Sequence, residues 1–174
     1  MTAGRNSVTN KKDWGTPRKY IDSVREVLGE IHLDPCSNEH SIVNAMIEYR
    51  LPYKDGLKEP WDYPTIYVNP PYGRDKERGT TIKDWIKRCY DSDRSFGSQV
   101  LALIPVATNT SHWKEYIWRK ATAICFLYDI RLKFLENGLP SKKGAPMSCC
   151  MVYWGWNIDK FKEEFDKHGA VIIV

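Results

Sequence analysis

The sequence lacks the cysteine patterns of zinc sites and disulfide frameworks. Its cysteines are odd in number, include no Cys-x-x-Cys pair and are not interleaved with histidine at zinc-ligand spacing. No apolar run approaches the roughly 20 residues that span a bilayer, and the polar first 12 residues lack the apolar core of a signal peptide. We therefore expect a reduced cytoplasmic protein with no metal and no membrane partner.

Residues for nucleophilic catalysis are also missing. The four histidines form no constellation with serine or cysteine that predicts an activated nucleophile. There is no internal repeat and no interdomain linker, and 174 residues suffice for one ordinary core. We expect a flexible polar arm over residues 1–13 and a single domain over residues 14–174. The formal net charge of +4 permits binding to nucleic acid without requiring it.

Strand patterns and helix patterns alternate along the chain. Thr16-Pro17 has the form of a helix start, with Thr16 as the N-cap, and the helix should end at Gly29. Strands are predicted at residues 31–33, 65–68, 99–106, 122–128 and 148–154. Further helices are predicted at residues 41–48, 112–118 and 159–167 and around Ile82 to Cys89. This alternation predicts an open parallel α/β sheet with ligands at the carboxyl ends of its strands.

The sequence Asn69-Pro70-Pro71-Tyr72 directly follows the predicted strand at residues 65–68. An exocyclic amine on an aromatic ring is a poor nucleophile because its lone pair is delocalised. The Asn69 side-chain carbonyl and the Pro70 main-chain carbonyl can each accept one amine proton, which leaves the nitrogen lone pair directed at a methyl donor. Pro71 helps to stiffen this corner, and Tyr72 offers a flat face for a base that is flipped out of a duplex. A proline-rich turn after a strand is the competing interpretation.

A family resemblance rests on motifs that cover nearly the whole chain after residue 13. In chain order they are Trp14-Gly15-Thr16-Pro17, Leu33-Asp34-Pro35-Cys36, Asp55-Gly56-Leu57 with Trp61, Asn69 to Gly73, Leu103-Ile104-Pro105, Arg131-Leu132-Lys133-Phe134 and Pro146-Met147-Ser148. With these motifs the chain resembles the phage-type DNA N6-adenine methyltransferase (Dam) family. The resemblance implies a Rossmann-like α/β fold with a mostly parallel sheet and helices on both faces. It also implies S-adenosylmethionine as cofactor, double-stranded DNA as partner and a phage origin.

The resemblance places the cofactor on three of these motifs. Thr16 and Pro17 would hold its methionine end, although an ordinary helix cap explains the same residues. The segment Asp34-Pro35-Cys36 would face its charged methionine or sulfonium region. A glycine-rich loop follows this acid in many methyltransferases, whereas here no glycine follows, so a solvated strand-end carboxylate is the alternative.

Further contacts to cofactor and base are also implied by the resemblance. Asp55, with Gly56, would accept a hydrogen bond from the cofactor's adenine amine, against the alternative of a plain Asp-Gly turn. Asn69 would border the cofactor as well as the base, and Trp61 is either a pocket wall or a core residue.

Basic residues flank the same predicted strand ends. Phe134 would stack on the far face of the base while Arg131 and Lys133 meet phosphates, although a charged loop with one buried Phe fits equally. The loops at residues 73–81 and 137–146 are the other candidates for DNA contact. Their residues of interest are Gly73, Arg74, Lys76, Arg78, Lys142 and Lys143.

The sequence therefore predicts an enzyme that transfers a methyl group to adenine N6 in DNA. The same fold acting on cytosine N4, RNA adenine or a protein glutamine is one alternative. A DNA-binding module that has kept the fold without catalysis is another.

Overall fold

The computed structural model describes residues 14–129 and 131–174. The predicted flexible arm at residues 1–13 lies outside the described residues. Within these ranges the helices are α1 (Arg18–Leu28), α2 (Ile82–Phe96), α3 (Ser111–Tyr116) and α4 (Ile158–Phe165). The strands are β1 (Trp14–Gly15), β2 (Leu33–Asp34), β3 (Ile47–Glu48), β4 (Thr65–Val68), β5 (Gln99–Pro105), β6 (Ala123–Leu127), β7 (Leu135–Glu136), β8 (Leu139–Pro140), β9 (Cys149–Trp154) and β10 (Gly169–Ile173).

The main sheet has seven strands in the order β10-β6-β9-β5-β4-β2-β3. Pairings among β3, β2, β4 and β5 are parallel, whereas β9 runs antiparallel to both β5 and β6, and β10 runs antiparallel to β6. The protein is thus α/β with a mixed sheet, and half of the sheet's strand pairings differ from the parallel arrangement that the alternating pattern predicted. The strand predicted at residues 65–68 is confirmed, and β5, β6 and β9 each lie inside a predicted strand.

The core is divided into two clusters of buried side chains. Leu101 and Leu103 of β5 share one cluster with α1 and α4, while Val100, Ala102 and Ile104 share the other with α2 and α3. Strand β5 is buried on both sides, which explains why its sequence is a nearly continuous apolar run.

The start of α1 differs from its prediction. Pro17, not Thr16, is the N-cap residue, and the helix begins at Arg18 without a side-chain capping bond. The Thr16 hydroxyl is buried and lies 2.6 Å from the hydroxyl of Tyr67 on β4. A tertiary partner has therefore replaced the local cap, and it ties the segment before α1 to the middle of the sheet.

The predicted helix at residues 41–48 is wrong. The main-chain amides of Met46, Ile47 and Tyr49 donate to the carbonyls of Ile31, His32 and Asp34, so the end of this segment pairs with β2 as strand β3. Pairing with a neighbouring strand has outweighed local helix preference, which is a weak determinant.

A second sheet has three strands in the order β1-β7-β8. Strands β7 and β8 form a hairpin whose two connecting residues, Asn137 and Gly138, both have positive φ. Asn-Gly is the favoured pair for such a two-residue turn. Trp14 of β1 pairs with Glu136 of β7 and is thereby held against the hairpin.

Candidate active site

Three neighbouring parallel strands of the main sheet end in polar residues. Strand β2 ends at Asp34, β3 ends at Glu48, and β4 is followed directly by Asn69. The carboxyl ends of parallel strands meet at one edge of a sheet, where α/β proteins bind their ligands. The structure thus places Asp34 and Asn69 at one edge. It adds Glu48, which the sequence analysis missed because it assigned that segment to a helix.

The Asn69 side chain has a defined orientation. Its Nδ2 donates a 2.7 Å hydrogen bond to the main-chain carbonyl of Trp14. Its Oδ1 lies 3.5 Å from the Tyr72 hydroxyl, which donates a shorter bond of 3.0 Å to the Leu103 carbonyl. Burial raises the pKa of Tyr72 well above its usual value, so this hydroxyl remains a neutral donor. Oδ1 of Asn69 therefore keeps capacity to accept another hydrogen bond.

An aromatic cluster borders Asn69. Trp14 and Phe134 are stacked, with ring centroids 5.0 Å apart, and Tyr72 stands edge-on to both rings. Phe134 is only 2% exposed. For Phe134 to stack on a base, as the resemblance implied, Trp14 would have to move. Pro70 is buried and Pro71 is half-buried beside this cluster.

Asp34 is the most strongly perturbed acid of the sheet edge. It is 4% exposed, and burial raises its pKa to about 7 even though the Cys36 amide donates a 3.1 Å bond to its Oδ1. Burial also raises the pKa of Cys36, so its thiol is protonated at neutral pH. A buried carboxyl that titrates near neutrality at a strand end is an electrostatic match for a cationic ligand.

A narrow cleft of about 20 Å³ connects these groups. Its lining residues are Trp14, Gly15, Thr16, Asp34, Cys36, Ser37, Asn38, Ser41, Ile42, Val43, Tyr67 and Asn69. The structure brings together four of the residues expected to bind cofactor, namely Thr16, Asp34, Cys36 and Asn69. Pro17 lines a separate, wider cleft beside it.

The loop that contains Asp55 and Gly56 packs against the loop that follows Asp34. A Cβ atom on Gly56 would lie 1.7 Å from the Pro35 carbonyl oxygen, so the two loops are in close main-chain contact. Asp55 forms a 3.0 Å ion pair with Arg78. Trp61 is buried and donates to the Gly56 carbonyl, which supports its interpretation as a core residue.

The predicted DNA-contact residues divide into two groups. Arg78 is largely buried, and it is paired with Asp75 as well as Asp55, so its guanidinium is already engaged. The others are exposed, and Arg131 and Lys133 line the wider cleft. The exposed residues are Gly73, Arg74, Lys76, Arg131, Lys133, Lys142 and Lys143.

Two other kinds of site are absent from the part of the chain that the structure describes. Over residues 14–129 and 131–174, no three His, Cys, Asp or Glu side chains are grouped so that they could hold a metal ion. None of the helices described is both long enough and apolar enough to cross a bilayer.

Comparison with known proteins points to one family. A family model described as DNA N-6-adenine-methyltransferase (Dam) matches residues 4–166 of this chain. A search of curated proteins finds no match. The matched span contains every residue of the sheet edge described above.

Proposed function

The chain belongs to the DNA N-6-adenine-methyltransferase (Dam) family, so it is an enzyme that methylates adenine N6 in DNA, and we propose that it uses S-adenosylmethionine at the Asp34–Asn69 sheet edge. The observation that carries this assignment is Oδ1 of Asn69 at the end of β4, which can accept a further hydrogen bond and lies at the same sheet edge as the buried acid that ends β2. We propose double-stranded DNA as the substrate.

The proposed chemistry at Asn69 is hydrogen bonding to the target amine. Oδ1 of Asn69 and the Pro70 carbonyl accept hydrogen bonds from the two N6–H groups, which would restore lone-pair density on the nitrogen and direct it at the methyl donor. Pro71 stiffens the corner, and Tyr72 provides an aromatic face for the flipped base. No covalent intermediate with the protein is required.

The residues of the narrow cleft fit the proposed cofactor in chemistry. When bound, S-adenosylmethionine supplies a methyl group on a positively charged sulfur. The Asp34 carboxyl would ionise beside that charge and stabilise it, and Thr16 and Pro17 would present the N-terminal end of α1 to the methionine carboxylate. Pro35 and Cys36 shape the turn after Asp34, while Gly56 keeps Asp55 close to it.

The narrow cleft must widen before it can hold the cofactor. Small-molecule sites typically have volumes of about 300–1,000 Å³, far above the present cleft. The segment from Trp14 to Thr16 forms one wall of the cleft, and β1 is only two residues long. Outward movement of this segment is the simplest way to admit the cofactor, and it would also uncover Phe134.

Glu48 is a further candidate for cofactor binding. It ends the strand next to β2, and its carboxylate is paired with Arg50. In nucleotide-binding α/β folds an acid at the end of the second strand accepts hydrogen bonds from ribose hydroxyls. We assign the same role to Glu48 with respect to the ribose of the cofactor.

We also infer that the fold is Rossmann-like and that residues 14–174 form one domain. Five strands of the main sheet, β2 to β6, run in one direction. Successive residues of β5 alternate between the two core clusters, which supports placing α1 and α4 on one face and α2 and α3 on the other.

The proposal is tested by incubating the protein with unmethylated duplex DNA and isotopically labelled S-adenosylmethionine. Nucleosides from the digested DNA are then separated by mass spectrometry, with RNA of the same sequence as the matched substrate. We expect label in N6-methyldeoxyadenosine and none in the RNA. Label in N4-methylcytosine, in RNA or in protein glutamine would overturn the assignment, as would an inert protein that does not bind the cofactor.

A further inference from the structure

The wider cleft lies between the start of α1 and the β7–β8 hairpin. It has a volume of about 560 Å³, and its lining includes Arg18, Lys19, Arg131 and Lys133 together with Asp129. Among the residues that the structure describes, no other charged side chain lines it. Four cations and one carboxylate give the cleft a net charge of 4 − 1 = +3, within a chain whose total is +4. The cleft is therefore a concave surface with a clear excess of positive charge.

The four cations are not equivalent. Lys19 forms a 2.7 Å ion pair with Asp129, which also accepts a hydrogen bond from the Tyr20 hydroxyl. Partial burial raises the pKa of Asp129, but the bonds from Lys19 and Tyr20 outweigh burial and lower it below its usual value. Asp129 is therefore ionised at neutral pH and neutralises Lys19.

The remaining three cations face the cleft without such a partner. Arg18, Arg131 and Lys133 are exposed, and none forms an ion pair with another residue in the described part of the chain. Pro17 and Ile42 also line the cleft, as do Gly138 and Pro140 of the hairpin.

The cleft adjoins the candidate active site. Ile42 lines both clefts, and Pro17 follows Thr16, which lines the narrow one. Lys133 precedes Phe134, which contacts Trp14 and Tyr72. An anion held by the three free cations would thus lie beside the base-binding aromatic cluster.

We propose that this cleft binds neighbouring phosphates of the target DNA strand, one at each of Arg18, Arg131 and Lys133, while Asp129 keeps Lys19 out of the contact. The proposal rests on the function proposed above and extends it, because it gives Arg18 a role and makes Asp129 a limit on DNA affinity. Arginine suits this role because its planar donors match phosphate oxygens. Each phosphate that is neutralised makes the slope of log K against log salt concentration steeper by about 0.9.

The carboxylate of the cofactor is the other anion that could occupy the cleft. The two sources are separated by measuring the binding of a short DNA duplex and of S-adenosylmethionine with the same variants. DNA binding is followed by fluorescence anisotropy over a series of salt concentrations, and cofactor binding is followed by calorimetry.

The variants that test the cleft are Arg18→Gln and Arg131→Gln. Each should reduce the salt slope of DNA binding by about 0.9 and leave cofactor affinity unchanged. The matched control is Lys114→Gln, which removes the same charge from an exposed residue of α3. The buried side chain of this helix belongs to the other core cluster, so we expect the slope to be unchanged. Weaker cofactor binding with an unchanged slope would overturn the proposal in favour of a cofactor site. Unchanged values for both ligands would overturn it outright.

A gain of affinity provides the second test. Asp129→Asn keeps an acceptor for the Tyr20 hydroxyl but releases Lys19, so DNA binding should tighten and its salt slope should steepen by about 0.9. Asp62→Asn, at an exposed acid outside the cleft, is the matched control. No tightening beyond that control would exclude the role given to Asp129. Failure of the wild-type protein to methylate adenine would refute the proposed function instead, whatever these slopes are.

Discussion

Nδ2 of Asn69 donates a 2.7 Å hydrogen bond to the main-chain carbonyl of Trp14. An amide side chain carries donors at one end and an acceptor at the other, so this bond determines that Oδ1 points away from Trp14. The Tyr72 hydroxyl is 3.5 Å from Oδ1 and is engaged more closely by Leu103. The hydrogen bond to Trp14 thus fixes the Asn69 side chain in the orientation that an amine donor requires.

We expect Asn69→Ala to lower methyl transfer by at least about 100-fold, because the amine would lose an acceptor and its alignment. Binding of S-adenosylmethionine should remain largely intact, since Asp34 and Thr16 are unchanged. The measurements are N6-methyldeoxyadenosine formation and cofactor titration by calorimetry. Full activity in this variant would remove Asn69 from the mechanism.

Because of the buried Asp34 carboxyl, we expect stability and S-adenosylmethionine binding to depend on pH in opposite directions. Burial raises its pKa from 3.8 to about 7, so between these values the folded chain holds a proton that the unfolded chain has released. Stability falls as pH rises through this window. Asp34→Asn should therefore raise the free energy of unfolding above pH ~7 by on the order of a few kcal/mol, measured as a higher melting temperature, and have no effect below pH ~4.

The same variant should bind S-adenosylmethionine more weakly at alkaline pH. Affinity of the wild-type protein should rise as Asp34 ionises through pH ~7, and Asp34→Asn should abolish this rise. S-adenosylhomocysteine, whose sulfur is neutral, is the matched ligand and should show a smaller pH dependence. Equal pH dependence for the two ligands would mean that Asp34 does not meet the sulfonium charge.

Strand ends explain why much of the site could be predicted from the sequence. Four β-branched or aromatic residues before Asn69, and a proline directly after Asp34, mark local strand ends. Parallel pairing of β2 with β4 then places both residues at one edge. Local signals were sufficient where a residue's position follows from the end of its own strand.

Non-local contacts explain what could not be predicted. Glu48 joins the edge only because residues 46–49 pair with β2, and Thr16 leaves its capping position for the hydroxyl of Tyr67. Phe134 is covered by Trp14, which is 120 positions away in the sequence, from 134 − 14. Neither hydrophobic periodicity nor a turn signal in the sequence identifies partners that are so far apart along the chain.

Gly56 should be intolerant of any side chain. The Cβ of Gly56→Ala would lie 1.7 Å from the Pro35 carbonyl oxygen, so the Asp55 and Asp34 loops would have to separate. We expect a loss of stability of more than about 3 kcal/mol, at the upper end of overpacking effects. The control is Gly73→Ala, whose Cβ meets no atom within 4 Å and should change stability by less than about 0.5 kcal/mol. Thermal or urea unfolding compares the two, and equal stabilities would contradict the loop contact.

Arg74 and Arg78 lie in the same loop but should respond differently to removal of their charge. Arg74 is exposed, whereas the Arg78 side chain is 18% exposed and bridges Asp55 and Asp75 at 3.0 and 2.9 Å. Arg74→Gln should lower the salt slope of DNA binding by about 0.9 without loss of stability. Arg78→Gln should leave the slope unchanged and reduce stability by about 1–3 kcal/mol, because the carboxylate of Asp55 would lose its closest partner. Anisotropy titrations and urea unfolding of both variants decide this, and a reduced slope for Arg78→Gln would show that its guanidinium leaves Asp55 to reach the DNA.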